Sequence, residues 1–470
     1  MYALIDSNNF FVSCERLFRP DLTHKPVVVL SSNDGCAISR SAEAKALGIP
    51  MGAPIFKYRE LFKKHDVTAS SANFELYGDI SERIATLLTS ITPHIELYSV
   101  DESFLDLSEL DIPDYAAWGK MVRDRLLCDI GIPVSVGIAP TKTLCKLANH
   151  WAKTHENTRG VFMLEPRITG VKESRAASPQ TQNPAPIDSL TPSYLDSLSH
   201  TAVADVWGVG WRLAPKLKAE GIFTAYDLAL MNPKRAQQLM GIHGRHMVYE
   251  LNGTRCLPLQ PHTKPQHMIN RGRQFGNDTS DFQVIEAAVT TLATRAVAEL
   301  RREHQLAQYA GVTLRTNHRK PGYTTVFAKA YFGTPTADVG QICSQLIQAL
   351  AQEYNPRLNY HKADVFLWSL SAEHRIQTDL LGNVDLPAHH RSQDRMRAID
   401  AINSKYGHRL IGPAAEKLSS HWRPRSNMLS PRYTSDWNQL PEARLQRPLH
   451  WLHTRFEHQN VPPKQPWRRQ

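Results

Sequence analysis

Three carboxylates of this chain stand where they could hold metal ions. Asp6 closes an apolar opening run, and Asp101 and Glu102 lie side by side between two alternating stretches, 95–100 and 103–107. Neighbouring carboxylates repel one another, so one of them would be protonated near neutral pH unless a cation compensated the charge. Two Mg²⁺ ions roughly 3.5–4 Å apart would do so, and they could activate one oxygen while stabilising the leaving one. The pattern suggests a two-metal phosphoryl-transfer site, with Mn²⁺ as the substitute ion.

The same residues have an ordinary structural interpretation. Asp6 would then cap a turn, and Asp101 and Glu102 would lie at the tip of a polar hairpin, where acidic residues are common. Composition alone does not separate the two interpretations. The order of the predicted elements is therefore the next observation to weigh.

The elements predicted around the three acids follow a β-α-β-β-α-β order. Hydrophobic alternation predicts strands, and a period near 3.6 residues predicts helices. The predicted ranges are strand 1–6, helix 73–92, two strands within 94–107, helix 113–128, strand 132–139 and helix 142–153. In such a unit the first strand and the hairpin are neighbours in the middle of one sheet. We therefore expect Asp6 and Asp101 to face each other.

The first strand is followed by an insertion, and a connector and a glycine turn come later in the chain. The insertion, 11–72, is predicted to hold a strand, 26–30, a small-residue segment, 34–39, and a helix, 41–47. Segment 172–186 contains three prolines and few apolar residues, which is typical of a flexible connector.

Gly208 and Gly210 are predicted to form a hairpin between two helices, the second starting at Trp211. Glycines let a phosphate approach the backbone, and a helix start offers N–H groups to it. An ordinary pair of helices joined by a glycine turn fits the same residues equally well.

A second β-α-β-β-α-β unit carries basic residues in place of acids. The predicted ranges are strand 267–276, helix 282–304, strands 308–316 and 324–332, helix 339–354 and strand 362–370. Arg271 and Arg273 lie in its first strand, and Arg315 and 318–320 lie at its middle hairpin. Such a sheet could lay positive charge against a DNA backbone, which gives affinity without sequence choice.

Composition favours a polyanionic partner and a reducing compartment. The formal net charge is +10 over 470 residues, and segment 419–470 holds nine Lys or Arg, three Asp or Glu and four tryptophans. Basic residues interleaved with aromatic ones suit single-stranded nucleic acid or a protein partner, although a functionless extension is an equal alternative.

Six cysteines without a CxxC pair indicate free thiols. Neither a signal peptide nor a membrane-spanning run is visible, so we expect a cytoplasmic protein, nucleoid-associated when active, without a membrane partner.

Four ordered motifs resemble the Y-family lesion-bypass DNA polymerases, and among them the UmuC-type catalytic subunit of bacterial polymerase V and its plasmid-borne relatives. The motifs are IDSNNFFVSCE, SSNDGCAISRSAEAKALGIPMG, YSVDESFLDL and VGIAPTKTLCKLANHWAK. The resemblance runs from residue 1 to about residue 433. It implies an α+β multidomain right-hand polymerase: a palm at 1–10 and 73–165, small fingers at 11–72, a linker and helix-hairpin-helix thumb at 166–255, a little finger at 262–372 and a tail at 373–470.

The resemblance also implies roles for individual residues. Asp6, Asp101 and the carbonyl of Ser7 would hold the nucleotide-bound metal ion, while Glu102 joins the two aspartates at the ion that activates the primer 3′ hydroxyl. Phe11 would be the steric gate that excludes a ribose 2′ hydroxyl, in a position where many relatives have Tyr. The other residues implied to bind the nucleotide are Asn9, Phe10, Ser39, Lys45 and Lys146.

The family's partners follow from the same resemblance. They are primer-template DNA, deoxynucleoside triphosphates, a processed UmuD-type dimer, a RecA filament and the sliding clamp. The clamp-binding residues would be Gln377, Leu380 and Leu381, since two exposed leucines on a polar segment require a pocket to bury them. The implied activity is error-prone translesion synthesis in SOS mutagenesis, without proofreading. A metal-dependent nuclease, a nucleotide cyclase and a non-enzymatic clamp- and DNA-binding scaffold remain alternatives.

Overall fold

Strand β1 (Tyr2–Ser7) forms the centre of the N-terminal sheet, and all its residues are buried. A short apolar strand that is buried on both faces is typical of a central position. The structure, a computed structural model, describes residues 1–164, 192–260, 266–375, 385–406 and 410–441. The predicted connector 172–186 and the predicted clamp-binding segment 377–381 lie outside the described residues, as does the stretch after 441.

Helices and short strands follow β1 in the first described range. They are α1 (Phe10–Phe18), β2 (Val27–Leu30), β3 (Ala37–Arg40), α2 (Ala42–Ala46), α3 (Ile55–Lys64), β4 (Thr68–Ser71), α4 (Phe74–Ile91), β5 (Ile95–Leu97), β6 (Glu102–Asp106), α5 (Tyr115–Asp129), β7 (Val134–Ala139), α6 (Lys142–Thr154) and β8 (Val161–Met163). The five-stranded sheet has the order β5-β6-β1-β7-β8, and the insertion forms a three-stranded sheet, β3-β2-β4. The predicted β-α-β-β-α-β order with its insertion is confirmed, and β8 is an additional strand.

The next range is helical and leads to a four-stranded sheet. Its helices are α7 (Pro192–His200), α8 (Ala214–Ala219), α9 (Ala225–Leu230), α10 (Pro233–Met240) and α11 (Ile242–Leu251). The second sheet unit consists of β9 (Met268–Thr279), α12 (Phe282–Arg302), β10 (Gln305–Thr316), β11 (Thr325–Thr336), α13 (Val339–Glu353) and β12 (Tyr360–Ala372). Its strand order is β11-β10-β12-β9, and α12 and α13 cover one face of the sheet. The second predicted β-α-β-β-α-β unit is also confirmed.

One predicted helix start was wrong, and one helix was not predicted. The helix expected to start at Trp211 starts at Ala214, and a 3₁₀ turn, Val203–Asp205, lies between α7 and the glycines. Pro215 at the start of the helix suits its first turn, where no backbone donor is needed. Helix α14 (Leu386–Lys405) was not predicted, because its faces are polar and Met396 is its one residue described as buried.

The chain forms two compact units, 1–430 and 431–470. In the second unit the described residues form one 3₁₀ turn, Trp437–Gln439, whose start is capped by Asp436. All six cysteines are free thiols, as predicted. None of the helices in the described ranges has the combination of length and apolar composition that crossing a membrane requires.

Candidate active site

The hydrogen-bond register of β1 and β6 brings two acids together. Asp6 pairs with Glu102 across the antiparallel ladder, so both side chains lie on the same face of the sheet. The expectation that Asp6 faces Asp101 was wrong by one residue. Asp101 instead lies in the turn before β6, where its carbonyl accepts a hydrogen bond of 2.9 Å from the Ser7 N–H.

The Asp101 carboxylate is turned toward a neighbour within its own loop. Its Oδ1 accepts a hydrogen bond of 2.6 Å from Ser99 Oγ, and the Ser99 hydroxyl also accepts one of 3.1 Å from the Glu102 N–H. Asp101 nevertheless lines the same cavity as Asp6 and Glu102. The three acids are therefore neighbours at one cavity, although only two of them form a close pair.

Burial makes the charge on Asp6 costly. Burial, aided by the nearby Glu102 carboxylate, raises the pKa of Asp6 to about 7, although the Lys153 ammonium opposes the shift. Lys153 Nζ lies 2.5 Å from Asp6 Oδ2, and Lys146 Nζ lies 2.7 Å from Glu102 Oε1. Each of the paired acids thus has its own cation, and both cations come from α6.

The two lysines are seven residues apart on α6, so they lie on one face of the helix. Thr141 caps the start of α6 by accepting from the Leu144 N–H. The Lys146 ammonium also lies over the rings of Tyr98 and Trp207, at 4.7 and 5.7 Å from their centroids. Such contacts hold a cation in place. Lys146 was predicted to bind the triphosphate, whereas the structure places it on Glu102.

A cavity of about 290 Å³ opens beside these acids. Besides Asp6, Asp101 and Glu102, it is lined by all the predicted nucleotide-binding residues except Lys146. The lining residues include Ser7, Asn9, Phe10, Phe11, Ser39, Arg40, Lys45 and Lys153. Arg40 and Lys153 were missed by the sequence analysis, although the seven-residue spacing from Lys146 was a signal that could have indicated Lys153. The positive wall of the cavity suits a polyphosphate.

One wall of the cavity is formed where β1 gives way to α1. Asn9 adopts a left-handed conformation with φ 48°, which lets α1 turn sharply away from the strand. Its side chain accepts a hydrogen bond of 2.6 Å from Lys45 Nζ, and its carbonyl accepts one of 3.4 Å from Ser39 Oγ. Burial and the charges of Arg40 and Lys153 lower the pKa of Lys45. Phe10 is buried in the core, whereas Phe11 is only partly buried.

The Phe11 ring is held by two other aromatic rings. It stacks on Tyr77 with a centroid distance of 4.5 Å and an interplanar angle of 15°. Phe74 contacts it edge-on at 6.1 Å. Since offset stacks and edge contacts both stabilise aromatic pairs, the ring is fixed as a flat wall of the cavity.

The oxygen donors at the cavity fit a divalent cation. Within the part of the chain that the structure describes, no three acidic, histidine or cysteine side chains form a ready-made metal cage. Asp6 and Glu102 nevertheless form a close pair, in which burial and, to a lesser extent, the Glu102 carboxylate raise the pKa of Asp6. Hard carboxylate oxygens are the ligands that Mg²⁺ prefers. A third carboxylate, Asp101, would join them by rotating away from Ser99. The predicted ligand set stays a prediction.

The two glycines of the predicted thumb turn have different surroundings. Gly208 has φ +94°, and a Cβ there would lie 2.8 Å from Met247 Cε. Gly210 has no atom within 4 Å of the place where a Cβ would lie. The first glycine is therefore required by the fold, while the second leaves its backbone open to a partner.

Gly208→Ala is expected to destabilise the helical region by about 1–2 kcal/mol, because an L-residue is strained at this φ. Gly210→Ala should leave stability unchanged within about 0.5 kcal/mol, since nothing surrounds the new methyl group. Thermal unfolding of the two variants measures the difference. If Gly210→Ala weakens binding to duplex DNA while its melting temperature is unchanged, the turn contacts a phosphate; unchanged binding would contradict that role.

The arginines of the four-stranded sheet lie on two different faces. Arg271 and Arg273 have the same parity along β9 as the buried Ile269 and Phe275, so they lie on the face that α12 and α13 cover. The Arg271 guanidinium forms an ion pair with Glu299 of α12.

Arg273 Nη1 donates a hydrogen bond of 3.3 Å to Ser32 Oγ, in the insertion after β1. Arg315 lies 3.9 Å from Asp364, on the opposite face from the helices. Of Arg271, Arg273 and Arg315, only Arg315 is therefore on the open face of this sheet.

The sequence matches three family models. Residues 5–150 match the impB/mucB/samB family, and residues 266–380 match the C-terminal domain of that family. Residues 393–443 match a domain of unknown function, DUF4113.

Curated relatives are similar along nearly their full lengths. Protein UmuC of Salmonella typhimurium is 36% identical over 94% of this chain and 99% of its own. Protein SamB of Salmonella typhimurium is 34% identical over 95% and 100%, and protein MucB of Escherichia coli is 33% identical over 94% and 99%. Among solved structures, a Y-family DNA polymerase chimera of Dbh and Dpo4 has a TM-score of 0.60 at 20% identity, covering 79% of this chain and 99% of that chain. This last likeness indicates a shared fold.

Proposed function

Because this chain belongs to the family of UmuC, ImpB, MucB and SamB proteins, within the Y-family DNA polymerases, we propose that it extends primers past damaged template bases at the cavity beside Asp6 and Glu102. The chain is a DNA-directed DNA polymerase of the translesion class. The pairing of Asp6 with Glu102 at a cavity with a basic wall is the observation that carries the assignment of the site.

The chemistry at this site is phosphoryl transfer from a deoxynucleoside triphosphate to a primer 3′ hydroxyl. Asp6, Asp101 and the Ser7 carbonyl would hold one divalent ion, and Glu102 with the two aspartates a second. Such ions, when bound, neutralise charge on the triphosphate and lower the pKa of the attacking hydroxyl. The protein's own part is to position the reacting groups, and no protein nucleophile is needed.

Cations of the cavity wall would bind the triphosphate. Lys45 and Arg40 come from the insertion, while Lys153 comes from α6. Lys153 pairs with Asp6 and Lys146 with Glu102, so each of the two acids has a positive partner on α6. A divalent ion held by Asp6 and Glu102 would supply the positive charge that these acids need, and Lys153 and Lys146 would then face the phosphates, the role that the sequence predicts for Lys146.

Phe11 would select the sugar of the incoming nucleotide. Its ring is held flat against Tyr77 and forms part of the cavity wall. A rigid aromatic face leaves no room for a ribose 2′ hydroxyl, and it carries no oxygen that could form a hydrogen bond to the sugar. Exclusion of ribonucleotides would therefore be steric.

The DNA would lie between the glycine turn and the open face of the four-stranded sheet. Gly210 leaves the backbone of the turn accessible, and Arg315 gives the sheet a positive charge on that face. Contacts of this kind bind the phosphate backbone without reading sequence. A processed UmuD-type dimer, a RecA filament and the sliding clamp are the proposed protein partners, with the clamp bound by 377–381.

Primer extension across an abasic site tests the function. With Mg²⁺ and deoxynucleotides, the full-length protein should extend a labelled primer past the lesion when a processed UmuD-type partner and RecA are supplied. A nuclease would shorten the labelled strand instead, and a scaffold would leave its length unchanged. The same assay on an undamaged template is the control, since failure on both templates would refute the polymerase and failure on the lesion alone would refute bypass.

A further inference from the structure

A C-terminal segment, residues 422–430, crosses from the four-stranded sheet to the three-stranded sheet; we call it the strap. The Trp422 side chain is buried in the core beneath the four-stranded sheet. Its carbonyl accepts a hydrogen bond of 3.3 Å from the Gly276 N–H, and a Cβ on Gly276 would lie 2.5 Å from the Arg423 carbonyl oxygen. The strap backbone therefore lies directly on β9, and the strap falls inside the region that matches a domain of unknown function.

The middle of the strap is fastened to the insertion by two polar side chains. Asn33 accepts a hydrogen bond of 2.8 Å from the Arg425 N–H and donates one of 3.0 Å to the Phe275 carbonyl of β9. Asp34 accepts one of 2.9 Å from the Asn427 N–H. Asn33 and Asp34 both have positive φ values, 63° and 51°, which Asn and Asp adopt more readily than most residues.

The end of the strap runs beside β4. The Ser71 N–H donates to the Met428 carbonyl at 2.9 Å, and the Met428 N–H donates to Ser71 Oγ at 3.0 Å. Ser71 and Leu429 form a parallel β-bridge. The strap thus adds an edge to the three-stranded sheet, which brings Ser430 to the start of α4.

Ser430 begins a chain of contacts that ends at the cavity. Its hydroxyl donates a hydrogen bond of 3.1 Å to Glu15 Oε1, and the Tyr77 hydroxyl donates one of 2.7 Å to the same oxygen. Glu15 is 1% exposed, so burial raises its pKa and its carboxyl depends on these protein donors. The Tyr77 ring stacks on Phe11.

We propose that the strap is a positioning element for sugar selection, in which Ser430, acting through Glu15 and Tyr77, fixes the Phe11 ring against the incoming nucleotide. This inference rests on the proposed function of Phe11. Ser430, Glu15 and Tyr77 are not among the residues that line the cavity, so their part is to set where Phe11 lies. The C-terminal region is thereby a part of the site's selectivity as well as a tether between two sheets.

The test measures kcat/KM for ribonucleotide and deoxynucleotide insertion by the full-length protein. Ser430→Ala and Tyr77→Phe should each lower the preference for deoxynucleotides by about three- to tenfold, the value of one buried hydrogen bond. The double variant should lose no more than the worse single variant, because both changes break the same network. Ser430→Thr keeps the hydroxyl and should restore the preference.

Ser426→Ala is the matched control, because Ser426 lies in the same strap with an exposed side chain. It should leave the preference unchanged. A second readout needs neither metal nor nucleotide: amide hydrogen exchange in 71–77 should become faster in Ser430→Ala and stay unchanged in Ser426→Ala. Equal sugar preferences and equal exchange for these two variants would overturn the proposal.

The Phe11→Ala variant distinguishes a failure of the strap proposal from a failure of the proposed role of Phe11. If Phe11→Ala admits ribonucleotides but Ser430→Ala and Tyr77→Phe do not, the gate stands and the strap's role is refuted. If Phe11→Ala leaves the sugar preference intact, Phe11 does not select the sugar, and the proposed role of the strap is refuted as well. Tyr77→Phe keeps the stacked ring, so its result remains decisive even if Ser430→Ala is unstable.

Discussion

Asp101→Ala is expected to reduce primer extension by at least about 10²–10³-fold, the usual loss when a group that stabilises transition-state charge is removed. The variant should fold normally, because the Asp101 side chain is partly exposed and its one described hydrogen bond is with Ser99 in the same loop. By contrast, Asp6 and Glu102 are each paired with a lysine, so removing either would leave a cation without its partner. Asp101 is therefore the acid whose removal should reduce catalysis while leaving the protein folded.

Asp106→Ala is the matched control for this prediction. Asp106 lies on the same strand pair, opposite Tyr2, and its carboxylate accepts hydrogen bonds from Ser108 rather than lining the cavity. Its primer extension should stay within about threefold of the natural protein, as for most surface substitutions. A melting temperature that rises with Mg²⁺ or Mn²⁺ in the natural protein and less so in Asp101→Ala would report metal binding directly. Near-normal extension by Asp101→Ala would contradict the proposed ligand set.

The two β-α-β-β-α-β units could be predicted because their strands and helices repeat apolar residues with clear periods. Several other elements were not predicted from the sequence. Strand β4 reads Thr-Ala-Ser-Ser, and only its parallel pairing with β2 makes it a strand. Helix α1 was also missed, and it buries an acid, Glu15, whose partners Tyr77 and Ser430 lie 62 and 415 residues away in sequence. Distant hydrogen bonds of this kind leave no local pattern.

The sequence predicted which residues line the cavity more accurately than it predicted which of them contact one another. The acids, Phe11 and Lys45 do line one cavity, but a shift of one residue in register exchanged Asp101 for Glu102 as the partner of Asp6. A strand places successive side chains on opposite faces, so such a shift changes which groups meet. The same alternation could have assigned Arg271 to the helix-covered face, since Ile269 and Phe275 share its parity.

Gly137→Ala is expected to destabilise the chain by about 3 kcal/mol or more, because the added methyl group would overpack a rigid backbone contact. A Cβ on Gly137 would lie 2.4 Å from both the Asn149 nitrogen and the Cys145 carbonyl oxygen of α6. These are main-chain atoms of a helix, so they can make room for the methyl group only if α6 moves away from β7. Thermal unfolding of Gly137→Ala beside Gly333→Ala, a strand glycine with open space around it, measures the cost.

A displaced α6 would also change the chemistry, because α6 carries both Lys146 and Lys153. Strand β7 pairs with β1, and Gly137 lies opposite Leu4, two residues before Asp6. Close contact between helix and sheet at Gly137 therefore sets the distance between the lysines and the carboxylates. We expect any folded fraction of Gly137→Ala to extend primers more slowly than its stability alone explains, whereas Gly333→Ala should match the natural protein. A Gly137→Ala protein with unchanged stability and activity would show that α6 is free to shift, which would contradict the rigid positioning of both lysines.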